Sequence, residues 1–192
     1  MNAADVTRAL LESAALKERV ARELAGSIAQ AGDLCIQTLS AGGKLIFFGN
    51  GGSAADAQHL AAEFVGRFVK ERSPLAAIAL TTDTSALTAI GNDYGFDHVF
   101  ERQVQALGRR GDVAVAISTS GRSANVIRAA QAARENGLLT IALTGGDGGG
   151  LAPIVEVAIV VPSTTTARIQ ECHIAIGHVL CEYVDSAYNL AS

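Results

Sequence analysis

Two loops and one set of side chains in this 192-residue chain carry the residue types that chemistry needs. The first loop is Gly49, Asn50, Gly51, Gly52 and Ser53, where glycine permits positive φ and lets a ligand come close to the backbone. The second is Ser118, Thr119, Ser120, Gly121, Arg122 and Ser123, four hydroxyls and several backbone N–H groups just ahead of a helical stretch. The free N–H groups and dipole of a helix start favour an anion. Neutral hydroxyl donors suit a phosphate monoester that must both bind and leave. A single hydroxyl would serve to cap the helix; four in six residues exceed that need. No Gly-Lys-Ser/Thr follows either loop and neither is GxGxxG, which argues against a nucleoside triphosphate or a dinucleotide.

His59 and Glu63 are four apart, share one helical face and can converge on one ion, although a surface helix often carries such a pair. Gln170, His173 and His178 lie in an otherwise apolar segment, so each needs a partner. Gln170 and His178 are separated by about 12 Å of helical rise. Either Gln170 reaches along from the first turn, or the site is assembled across subunits. His173 points about 140° around the helix from His178, towards the core or a neighbour. With the phosphate loops, this set suggests carbonyl chemistry on a sugar phosphate. The phosphate holds one end, and a carboxylate or imidazole moves protons at the other. A divalent metal could polarise a carbonyl and stabilise an enediolate.

The elements that must position these groups alternate. Residues 1–41 form an Ala/Leu-rich helical region from Asp5, a plausible N-cap, to about Leu39; Gly26 and Gly32 are expected to bend or divide it into two helices. Residues 44–192 then read as strand and helix in turn. Buried strands are expected at 44–48, 76–80, 112–117, 139–143 and 155–161, and helices at 54–67, 99–106, 124–135 and 166–187. Residues 81–85 are read as loop. That alternation specifies one α/β domain with a five-stranded parallel sheet and helices on both faces. Both polar loops then fall beyond the carboxyl ends of strands, where such sheets bind ligands.

Composition removes other classes. The chain is 49% hydrophobic and 18% charged, which excludes disorder. A net charge of −4 and no Trp argue against a nucleic-acid binder. No apolar run approaches membrane-spanning length, and the N-terminus lacks the pattern of a signal peptide. Cys35, Cys172 and Cys181 form no CxxC pair and suggest reduced packing residues in a cytoplasmic protein. The alanine-rich, lightly charged helices hint at burial against other subunits.

Four segments carry a resemblance: the run from Gly49 to His59, the run Ile90 to Gly95, the run Ile117 to Gly121, and Arg168, Ile169, Gln170 and Glu171. Over nearly its whole length the chain resembles the phosphoheptose isomerases, the sedoheptulose 7-phosphate isomerase branch of the sugar isomerase (SIS) fold. The resemblance implies a three-layer α-β-α sandwich whose N-terminal helices serve oligomerisation. It implies a cytoplasmic homotetramer with active sites between subunits and one zinc ion per subunit. The implied reaction converts D-sedoheptulose 7-phosphate to D-glycero-D-manno-heptose 7-phosphate for heptose-nucleotide precursors. By the same resemblance Asn50, Gly51, Gly52 and Ser53 line the sugar with Asn92 and Asp93. Ser118, Thr119, Ser120 and Ser123 hold the phosphate. His59, Glu63, Gln170 and His178 match the zinc ligands, Glu63 and Gln170 also meeting substrate, and Glu63 and His178 match the acid/base pair. Arg122 departs from the family, where Asn is common; it is expected to point to solvent rather than add charge to the phosphate site. Two other readings remain: a paralogue that associates with the bacterial replication initiator, disfavoured because Glu63 and His178 are retained, and an isomerase of another sugar phosphate.

Overall fold

The structure, a computed structural model, describes residues 1–188. Its apolar runs become a five-stranded sheet, because a strand buried on both faces needs side chains that lose nothing by leaving water on either side. The strands are β1 (Leu45–Gly49), β2 (Ala77–Ala79), β3 (Val113–Ile117), β4 (Leu139–Gly145) and β5 (Val157–Val161). All pair in parallel, in the order β2-β1-β3-β4-β5. Every residue of β1 and β3 is buried.

Six helices cover the sheet: α1 (Ala3–Ser40), α2 (Gly52–Val65), α3 (Thr84–Tyr94), α4 (Glu101–Leu107), α5 (Ala124–Glu135) and α6 (Thr166–Ala187). Alternating residues of β1, β3 and β4 feed two cores. Leu45, Phe47, Val113 and Val115 pack under α1, α2 and α6, while Ile46, Phe48, Ala114 and Ala116 pack under α3, α4 and α5. The architecture is thus the expected three-layer α-β-α sandwich.

The N-terminal region differs from expectation. It is one 38-residue helix, not two. Its cap is Asn2: the Asn2 side chain accepts from the Asp5 N–H at 3.1 Å and the Asp5 carboxylate accepts from the Asn2 N–H at 3.0 Å, a capping box with Asp5 as its third helical residue. Gly32 does not divide the helix; a Cβ there would lie 2.4 Å from the Tyr183 ring, so this glycine lets α1 approach α6. Residues 81–85 are not all loop, since α3 begins at Thr84 under an Asp83 cap. α3 meets the core only through the partly buried Leu87 and Ile90, a stripe too short to mark a helix.

Two polar ties fix the layer that carries the site. Arg168 donates to the Ala9 carbonyl at 2.6 Å and to Glu171 at 2.5 Å, and Glu171 accepts from Ser13 at 2.6 Å, joining the start of α6 to α1. At the other end a buried ion pair, Arg72 to Asp185 at 2.6 Å, joins the segment after α2 to α6. No described helix is long and apolar enough to cross a membrane.

Candidate active site

After β1 the chain crosses outward to β2 and returns to β3 on the opposite side of β1. The loops that follow β1 and β3 therefore lie side by side at the point where strand order reverses, with Gly49 and Ile117 in register. Gly49 permits that closeness: a Cβ there would come within 2.6 Å of the Ile117 carbonyl. The loops are also stitched together. Asn50 and Asn125 exchange amide hydrogen bonds at 2.8 and 2.9 Å, so the first loop is anchored to the first turn of α5. Sequence reasoning missed Asn125; a buried amide two residues past Ser123, inside an apolar helix, was the available signal.

Three helices begin here: α2 at Gly52, α5 at Ala124 and α6 at Thr166. None has a side-chain cap bond, although Ser123 and Thr165 occupy the capping positions of α5 and α6. Of the other three, α1 and α3 are capped by Asn2 and Asp83, and α4 has no side-chain cap bond either. The uncapped helices here thus keep N–H donors and the positive ends of their dipoles for an anion. Ser118 and Ser123 meet through their hydroxyls at 3.2 Å, and Gly121 takes a positive φ of 63° to turn the loop between them. Thr119 and Ser120 open into a cleft of about 720 Å³ walled on the far side by Gly145, Gly146 and Asp147, and at the α6 start by Ser163, Thr164 and Thr166. Arg122 does not point freely to solvent. Its guanidinium makes a two-pronged bond to Asp147, at 2.9 and 2.7 Å. Asp147 is another residue that sequence reasoning missed.

The titratable set gathers on a second seam. Gly52, Asp56, His59 and Glu63 fall on one face of α2, and α6 runs beside it. Gly177 makes the approach possible, since a Cβ there would sit 2.5 Å from Leu60. His59 Nε2 stands 2.8 Å from His178 Nε2 and 3.4 Å from Glu63 Oε1. The His178 ring also packs on Phe68, with centroids 5.4 Å apart. Gln170 lies further back on the seam: its amide fills the place where a Cβ of Gly52 would stand, 1.4 Å from Nε2. The structure thus brings His59, Glu63 and His178 together and sets Gln170 against Gly52. Asp56, which sequence reasoning also missed, shares the same α2 face with one carboxylate oxygen buried and unpartnered. Burial pushes its carboxyl up to about 6, against the opposing pull of His59. Asn92 and Asp93 sit apart at the exposed end of α3, bonded to each other at 2.8 Å.

Two imidazole nitrogens and a carboxylate are a zinc donor set. Ligands about 2.0–2.1 Å from a tetrahedral ion lie about 3.3 Å from one another, so the His59 and His178 nitrogens need to part by only about half an ångström. Among the described residues no three His, Cys, Asp or Glu side chains already surround one point; His59 instead makes two pairwise contacts. His173 faces inward from α6. It is fully buried with Nε2–H donating to the Thr144 carbonyl at 3.1 Å, and burial holds its imidazole neutral, lowered to about 4. His98 pairs with Glu101 at 2.5 Å, one turn along. All three cysteines are buried and free.

The SIS domain family model matches residues 10–145. The chain is 60% identical over 165 residues to the phosphoheptose isomerase of Rhodospirillum rubrum, covering 86% of this chain and 88% of that one. Among solved structures it superposes on the phosphoheptose isomerase of Neisseria gonorrhoeae with a TM-score of 0.90 and 54% identity, covering 95% and 97% of the two chains. A phosphoheptose isomerase from Francisella tularensis gives 0.92 at 40% identity, covering 97% and 100%.

Proposed function

Since the chain belongs to the phosphoheptose isomerases of the SIS-domain family, we propose that it converts D-sedoheptulose 7-phosphate to D-glycero-D-manno-heptose 7-phosphate, a precursor step for nucleotide-activated heptose. The observation that carries this reading is the meeting of His59 with both Glu63 and His178, in a chain whose second polar loop turns hydroxyls and a helix start towards a cleft.

The hydroxyls of Ser118, Thr119, Ser120 and Ser123, with the N–H groups of α5, bind the phosphate and fix one end of the open-chain sugar. The Asn50, Gly51, Gly52 and Ser53 loop, Gln170, Asn92 and Asp93 orient its hydroxyls. Glu63 takes a proton from C1, and the electron pair of that C–H bond forms the C1–C2 double bond of an enediolate. His178 moves a proton between O1 and O2. Return of a proton to C2 leaves the carbonyl at C1, so atoms and charge balance. A zinc ion held by His59, Glu63, Gln170 and His178 supplies Lewis-acid polarisation of the C2 carbonyl when bound.

The assembly we infer is a cytoplasmic homotetramer with each site shared between subunits. Two features support it. α1 exposes Leu10 and Leu11 at about two-thirds of their surface, and further along it an apolar groove of about 440 Å³ between α1 and α6 includes Ala21, Ala25, Ala29, Ala175 and Val179. Along α6, Thr166 at the phosphate cleft and His178 are also separated by about 18 Å of rise, longer than one heptose phosphate. Light scattering on the eluting protein tests the assembly, and a monomer would overturn it. Incubation with sedoheptulose 7-phosphate, with and without a chelator, tests the chemistry. No aldose product defeats the reaction; undiminished turnover in chelator defeats the zinc role alone.

A further inference from the structure

Asp147 stands on the wall of a cleft built for a dianion, and a carboxylate there is the wrong charge. Arg122, on the phosphate loop, meets it with both prongs of its guanidinium, Nη1 to Oδ1 at 2.9 Å and Nη2 to Oδ2 at 2.7 Å. The same Nη1 donates to the Ser120 carbonyl at 3.1 Å, and the Arg122 N–H donates to the Ser120 hydroxyl oxygen at 3.2 Å. Ser120 thus accepts from Arg122 at both its carbonyl and its hydroxyl oxygen, and its O–H is left to donate. Behind the pair the two loops touch backbone to backbone: a Cβ on Gly121 would lie 2.1 Å from the Gly148 carbonyl, one on Gly149 2.4 Å from that of Gly121, and the Leu151 N–H donates to Gly121 at 3.1 Å. Asp147 also accepts from the Gly149 N–H at 3.0 Å.

Both side chains are more than half exposed, so the pair contributes little to holding the fold together. Its effect falls on the ligand. We propose that Arg122 is a positioning residue for the substrate phosphate: its guanidinium cancels the charge of Asp147 at the cleft wall, while its backbone N–H, which any residue there keeps, holds the Ser120 hydroxyl oxygen. The inference rests on the phosphoheptose isomerase reading and adds to it a further positioning residue. In this arrangement Arg122 stays on Asp147 and does not itself grip the phosphate.

Steady-state kinetics on the full chain, together with calorimetric titration of inorganic phosphate, test this. Arg122→Gln exposes the Asp147 charge and raises both KM and the Kd for phosphate about fivefold to tenfold, with kcat within about twofold and the melting temperature unchanged. Removing the carboxylate as well, in Arg122→Gln/Asp147→Asn, returns both constants to within about twofold of wild type. Arg122→Lys keeps the charge without the fork and falls between. In about 0.5 M salt the Arg122→Gln defect shrinks, because screening weakens a repulsion. An Arg122→Gln protein with unaltered KM and Kd overturns the proposal. So does a double variant as weak as Arg122→Gln, which would mean that the guanidinium grips phosphate directly. Wild-type protein that binds phosphate without isomerising the sugar defeats the underlying enzymatic reading, while the phosphate titrations still decide the charge balance.

Discussion

Replacing Arg72 with Ala removes the buried ion pair that ties the end of α2 and the segment after it to α6. The Arg72 side chain is 1% exposed and that of Asp185 2%. Besides the 2.6 Å pair, Arg72 donates to the carbonyls of Phe64 at 2.9 Å, Ser73 at 3.2 Å and Glu63 at 3.0 Å. Asp185 in turn accepts the N–H groups of Val69 and Lys70 at 3.1 and 3.2 Å. Alanine leaves a buried carboxylate without its cation and strands carbonyls at the end of α2. Breaking one side of a buried pair costs about 3–5 kcal/mol, which lowers Tm by on the order of 10 °C in a domain this size. The pH dependence carries its own signature. Burial raises the Asp185 carboxyl, but the bonds from Arg72, Lys70 and Val69 outweigh it, and the group titrates below its ordinary value. Its contribution is therefore whole above about pH 4, the unfolded value, and drains away as pH falls through the lower folded one. Urea melts of wild type, Arg72→Ala and Asp185→Asn from pH 7 to 3 read both effects. Because the Glu63 carbonyl loses its anchor, kcat falls in Arg72→Ala even at temperatures where the protein is folded. A loss below about 1 kcal/mol, or an Asp185→Asn protein whose stability declines in acid as steeply as wild type, refutes the reasoning.

Glu63→Gln and His178→Gln each lower kcat about a hundredfold or more in a sugar-phosphate assay, the usual scale for a lost general base or acid; near-normal turnover in either removes that residue from the mechanism. Gly52→Ala drives a methyl into the Gln170 amide, and since that is the end of a flexible side chain the Tm hardly moves while kcat/KM drops about tenfold; unaltered kinetics would show that the Gln170 position is irrelevant to substrate. His173 has its folded value lowered, so the stability it withholds from a charged imidazole is complete above about 6.5 and lost as pH falls towards about 4. His173→Met should therefore lose less stability than wild type between pH 7 and 4, by on the order of 3 kcal/mol in chemical denaturation; identical acid profiles would count against a neutral buried imidazole.

The sheet was legible because each strand lies in a short apolar run followed within a residue or two by polar residues or glycine. α5 was readable to the residue, from Ser123 ahead of it to Asn136 and Gly137 behind. α3 was hidden because Thr84, Ser85, Asn92 and Asp93 carry no buried stripe. Gly32 misled because a glycine inside a helical pattern reads as a bend, whereas here its missing side chain makes room for Tyr183 from a distant helix. The polar loops declared themselves locally. The meeting of His59 with His178 did not, since it depends on α2 and α6 lying in contact across 119 residues of chain. Asn125, Asp56 and Asp147 were overlooked for the same reason. Each is an ordinary polar residue until its partner, or the want of one, is seen.

The three helix starts at the candidate site, left without side-chain caps, have a thermodynamic consequence. A capping side chain is worth about 1 kcal/mol, so the empty protein forgoes something on the order of 3 kcal/mol that its own Ser and Thr residues could in part have supplied. An anion seated there returns a comparable amount, about 2.7 kcal/mol at a hundredfold excess over its Kd. The resistance of this protein to heat and proteolysis is then set partly by the phosphate esters in its surroundings. It will be sturdiest while substrate is plentiful and easiest to degrade when the pool is exhausted.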